Sequence, residues 1–75
     1  MNTLQERIKL LRTSLGLNQK EFAEKIGLKR SALSLIEIGK NPLTEQNIKL
    51  ICLVFDVSRE WLELGVGEMF VSETP

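Results

Sequence analysis

Histidine and tyrosine are absent from the 75 residues, and cysteine occurs once. Without histidine, no side chain titrates unperturbed near neutral pH, which removes the commonest general acid–base residue and the commonest metal ligand. The lone Cys52 permits no internal disulfide and no Cys-rich zinc site. No apolar run approaches the roughly 20 residues of a membrane span. The opening "MNTLQERIKLLR" puts Glu6, Arg7 and Lys9 where a signal peptide needs an apolar block. No nucleophile–base pair and no phosphate-cradling glycine loop can be found, because the glycines fall at predicted helix ends. The expectation is therefore a soluble cytoplasmic protein that is not an enzyme, with no metal, no small-molecule cofactor and no membrane partner.

Net charge is also missing, but only as a sum. Residues 1–40 hold eight Lys/Arg (Arg7, Lys9, Arg12, Lys20, Lys25, Lys29, Arg30, Lys40) against four acids, Glu6, Glu21, Glu24 and Glu37. Residues 41–75 hold Lys49 and Arg59 against six acids. Such polarity suits a molecule with one face toward a polyanion and the other toward solvent or a twin subunit. The apolar share of 43% supports a packed core rather than disorder, in a chain long enough for one domain.

The periodicity predicts five helices and no strand. Leu4, Ile8, Leu11 and Leu15 recur at helical spacing behind a Thr3–Glu6 capping box, with Gly16 as the stop. Asn18 and Glu21 open a second helix with Phe22 and Ile26 on its apolar stripe, ended by Gly27. A third runs from about Arg30 to Glu37, with Leu33 and Ile36 inward, and stops at Gly39. After "NPLT", Thr44 caps a fourth carrying Ile48, Ile51, Cys52 and Phe55. Ser58 caps a short fifth with Trp61, Leu62 and Leu64, ended by Gly65. The tail "GVGEMFVSETP" has no helical period. The expected division is a domain over residues 1–65, with its motif at about 19–38, and a C-terminal tail over residues 66–75.

In "QKEFAEKIGLKRSALSLIEI" two short helical patterns meet at a glycine. Neither is long enough to hold in water alone, so both must pack on something. Ala23 is small where the helices would cross, and Gly27 tolerates the positive φ of a tight turn. Phe22, Ile26, Leu28, Leu33 and Ile36 then clamp the pair. This is the spacing of a helix-turn-helix, whose second helix protrudes.

From Ile8 to Gly65, "IKLLRTSLGLNQKEFAEKIGLKRSALSLIEIGKNPLTEQNIKLICLVFDVSREWLELG" resembles the Cro/CI-type, or xenobiotic-response-element-type, helix-turn-helix regulators. The blocks "LNQKEFAEKIG" and "IE-x-GK-x-P" and the late "W-L" carry the resemblance. It implies an all-α, compact five-helix lambda-repressor-like domain. It also implies a transcriptional repressor of prophage or plasmid type, binding a near-palindromic double-stranded DNA operator as a homodimer. An alternative on the same fold is a protein-binding module of antitoxin or anti-repressor type.

A protruding second helix lies in the major groove and presents its early outward residues to base edges. Here these are Arg30, Ser31, Ser34 and Leu35, with Arg30 able to grip guanine O6 and N7 together. Lys29 is expected on phosphate and is a poor N-cap, where the family usually has a small hydroxyl. The resemblance places Gln19, Lys40 and Asn41 on phosphate too, and joins Arg12 to Glu37 as an ion pair bracing the third helix. Leu35 and Ile38 depart from the polar or basic residues usual at these places. Leu35 suits a thymine methyl or, alternatively, a protein partner, and Ile38 is expected to be partly covered by its neighbours. Cys52 reads as a small core residue. Trp61, Met69, Phe70 and Val71 are the candidates for a dimer contact, although Trp61 also fits the core. The last three either fold back on their own domain or add to a twin subunit, with the second preferred.

Overall fold

Four of the five helices start at a side chain that takes up an amide the first turn leaves free. In the computed structural model, which describes residues 3–71, the helices are α1 (Leu4–Ser14), α2 (Gln19–Lys25), α3 (Arg30–Glu37), α4 (Glu45–Phe55) and α5 (Arg59–Leu64). At α1 the Glu6 N–H donates to Thr3 Oγ1 at 3.1 Å, and the Thr3 N–H donates to Glu6 Oε1 at 2.8 Å. Asn18 and Glu21 repeat this reciprocal box at α2, at 2.8 and 2.9 Å. Thr44 and Ser58 accept from the amides of Asn47 and Trp61. Helix α3 differs: Lys29 precedes it, and the Lys29 side chain makes no capping bond to the described residues.

The inward stripes meet in one core. Ile8, Leu11, Phe22, Ala23, Leu33, Ile51 and Leu62 are fully enclosed, and Ile26, Ile36, Ile48, Val57 and Trp61 nearly so. Helix α2 packs on α3, α1 on both α3 and α5, and α4 on α5. The Phe22 ring stacks on Phe55 with centroids 4.8 Å apart and planes 12° from parallel, which ties α2 to the end of α4. Full burial of a ring the size of Phe22 contributes about 1.5–3 kcal/mol. Cys52 is half-buried beside this core, and burial pushes its thiol pKa up.

Arg7, one of the eight cations of residues 1–40, is not on the surface. It is 5% exposed. Its Nε donates to Leu62 O at 2.8 Å and its Nη2 to Glu63 O at 2.9 Å, so it serves the carbonyl end of α5. No charge pattern reveals this, because the bond joins residues 55 apart in the chain.

Beyond α5 the chain turns back on its own domain. The Ser58 N–H donates to Met69 O at 2.9 Å, the Val71 N–H donates to Asp56 O at 2.8 Å, and Val57 and Phe70 form an isolated antiparallel bridge. Met69 packs against the core. Of the two expected courses for the tail, the structure shows the fold back on its own domain, not the preferred one: its backbone is paired at home, while Phe70 and Val71 stay 39% and 50% exposed. Trp61, at 7% exposure, belongs to the core and drops out of the expected dimer contact. Residues 72–75 of the expected tail lie outside the described residues.

Candidate nucleic-acid interface

Helices α2 and α3 meet over a short turn. Ala23 is completely enclosed at the crossing, where a larger side chain would push the helices apart. The Leu28 N–H donates to Ala23 O at 2.8 Å, and Gly27 has φ +74°, in the region that side chains disfavour. Leu33 and Ile36 bury one side of α3 against the core. The other side is left outward.

On that outer side Lys29, Arg30 and Ser31 are exposed and Ser34 is half-buried. Leu35 is 37% exposed and Ile38 63%. The expectation that neighbours partly cover Ile38 is thus corrected: it stands at the C-cap, after the last residue whose side the core can reach. Lys40 and Asn41 follow on an exposed turn whose amides donate to Leu35 O at 2.9 and 3.2 Å.

The only carboxylate on α3 is turned inward and neutralised. Arg12 Nε meets Glu37 Oε2 at 2.8 Å and Nη2 meets Oε1 at 3.3 Å, with the two side chains 12% and 4% exposed. Gln19 Nε2 donates to Glu37 Oε1 at 3.1 Å, and Arg12 Nη1 donates to Leu17 O at 3.1 Å. One carboxylate thus gathers α1, the start of α2 and the end of α3, in a setting dry enough for charge-assisted bonds to count. Gln19, expected on phosphate, gives one of its two amide hydrogens to Glu37.

Between the start of α2 and the start of α3 lies an open cleft of about 440 Å³, lined by Arg12, Asn18, Gln19, Lys20 and Arg30. Three cations and no acid line it. Lys20 was missing from the expected site, although its place beside Gln19 in the first turn of α2 is a readable signal. A second hollow, lined by Leu17, Glu21, Glu24 and Lys25, carries acids instead. Helix α2 is therefore sided, with its cationic flank next to Arg30. The surface charge differs from the sequence count, since Arg7 is spent on α5 and Arg12 on Glu37. Arg59 is likewise held by Glu45 and Glu63, and its hydrogen bond lowers the Glu45 pKa.

Among the described residues no cluster of potential metal ligands occurs, and no helix is long and apolar enough to cross a membrane.

The helix-turn-helix family matches this chain over residues 8–62. Antitoxin PezA of Streptococcus pneumoniae serotype 4 is 40% identical over 53 residues, covering 71% of this chain and 34% of that protein. The HTH-type transcriptional regulator for conjugative element SXT of Vibrio cholerae is 33% identical over 69 residues, covering 92% of this chain and 32% of its own. The corresponding regulator for element R391 of Providencia rettgeri matches to the same extent. The chain thus spans about a third of the length of these curated relatives. Among solved structures, the DNA-binding domain of the P22 C2 repressor superposes with a TM-score of 0.73 at 25% identity, over 83% of this chain and 84% of that one.

Proposed function

The chain belongs to the helix-turn-helix family, and from that premise we propose that it is a sequence-specific DNA-binding regulator of the repressor type. Helix α3 enters the major groove, Arg30 grips a guanine, and Ser31, Ser34 and Leu35 face neighbouring base edges. Gln19, Lys20, Lys29, Lys40 and Asn41 hold phosphates on either side, which sets register without reading sequence. One observation carries this reading: α3 offers its open side with cations at its start, while its single carboxylate is sealed behind it by Arg12. A groove lined with phosphate repels exposed carboxylates, so their removal from this face is what DNA approach requires. The likeness to two HTH-type transcriptional regulators and to a repressor's DNA-binding domain supports the same reading.

The chain acts as a homodimer on a near-palindromic operator of prophage or plasmid type, in the cytoplasm, and represses by occupying the site. Two copies of α3 then sit one DNA turn apart, about 34 Å. Residues 1–65 bind DNA, and Phe70 and Val71 of the tail meet the twin subunit. A second reading, capture of a protein partner, rests on the exposed Leu35 and Ile38, and one relative of this chain is an antitoxin. That likeness covers the helix-turn-helix portion that both readings share, and so does not favour a protein partner over DNA.

Selection of bound duplexes from a random pool tests the proposal. A palindromic consensus is expected, and Arg30→Ala should relax one position of it by about 1–3 kcal/mol. A pool that yields no consensus would refute the regulator reading.

A further inference from the structure

Resting on the DNA-binding reading, we infer that Leu35 and Ile38 make α3 a reader of thymine methyl groups, so that A·T pairs in the operator are recognised from the thymine side. A helix turns about 100° per residue. Against the buried Leu33 and Ile36, this puts Ser31 and Ile38 roughly opposite the core and Leu35 and Ser34 on either flank. Ile38 is the C-cap, and its N–H still donates to Ser34 O at 3.2 Å, so the face continues through it. The centre of the presented surface is therefore apolar for its last turn, with Leu35 37% and Ile38 63% exposed.

A single exposed apolar side chain needs no explanation. Two on the face that meets the ligand do, because every other outward group there is polar or cationic. The face also lacks something. Between Lys29 and Ile38 there is no Asn or Gln, the side chains that grip adenine N6 and N7 together. Arg30 can specify guanine, but nothing on α3 can specify adenine. The thymine C5-methyl is the one apolar group on the major-groove edge, so it is what Leu35 and Ile38 can bury. From Ser31 to Ile38 the helix advances about 10 Å, enough to pass about three base pairs.

The test uses the whole chain and the operator selected from the random pool. Each thymine in turn is replaced by deoxyuridine, which removes the methyl and leaves pairing intact. Affinity should fall about fourfold at the positions facing Leu35 and Ile38, the change expected for one buried methyl at about 0.8 kcal/mol. Leu35→Ala should become indifferent to one of these replacements and Ile38→Ser to another. The second variant alters a side chain that is already mostly exposed, so folding is not at issue. Tight binding to the selected operator with every uracil neutral overturns the inference and leaves the regulator reading standing. Failure to enrich any duplex overturns the regulator reading itself. Variants that keep all uracil effects but lose a protein partner also overturn it, since the apolar pair would then belong to that partner.

Discussion

Glu37 shows how one side chain serves two ends. Its carboxylate anchors α3 to α1 through Arg12, and the same bonds keep negative charge off the open side of α3. Breaking such a pair leaves a charge without its partner in a poorly solvated place. Glu37→Ala should cost about 3–5 kcal/mol in a urea denaturation, whereas Arg12→Met together with Glu37→Leu should recover most of the loss. Equal stability of the two variants would mean that the pair does not hold the helices together. Glycines separate as sharply. Gly65 has φ +74°, and a Cβ there would lie 2.9 Å from Arg7 Nη1. Gly16, at φ +73°, would meet nothing within 4 Å. Gly65→Ala should therefore destabilise by more than about 1 kcal/mol, and by more than Gly16→Ala, in parallel thermal melts.

At the scale of the element, α3 starts less well capped than its neighbours. Three capping boxes or caps of good quality surround it, at Asn18, Thr44 and Ser58, yet Lys29 stands at its own entry. A lysine there leaves first-turn amides without a side-chain acceptor and adds a cation where the helix dipole is already positive. Both features disfavour the free helix and favour a phosphate. Lys29→Ser should stabilise the fold by about 1 kcal/mol and lower the slope of log affinity against log salt by about 1. A stabilised variant with an unchanged salt slope would remove Lys29 from the phosphate contacts.

Across the whole molecule, the tail is fixed to the fold. Its backbone is bonded to Asp56 and Ser58, so Phe70 and Val71 are held at fixed places while still half exposed. A held apolar pair loses less entropy on meeting a partner than a free tail would. Replacing both by serine should leave the melting temperature nearly unchanged. The same change should shift the proposed dimer toward monomer in sedimentation runs at micromolar concentration. A wild-type chain that sediments as a monomer throughout would refute the tail contact.

The five helices and their limits were legible because they depend on neighbours in sequence: capping residues three apart, apolar residues at three and four, and glycines where the chain reverses. The helix-turn-helix was legible for the same reason, since Phe22, Ala23, Gly27, Leu33 and Ile36 span few residues. What the tertiary structure alone decided involves partners far apart in the chain. Arg7 looked like one more surface cation until α5 brought the carbonyls of Leu62 and Glu63 to it. Trp61 fitted either the core or a twin subunit until packing enclosed it, and Ile38, expected to be partly covered, is left 63% exposed at the end of α3. Local free energies set the helices, whereas the burial of a given side chain depends on how separate helices pack, which sequence spacing does not encode.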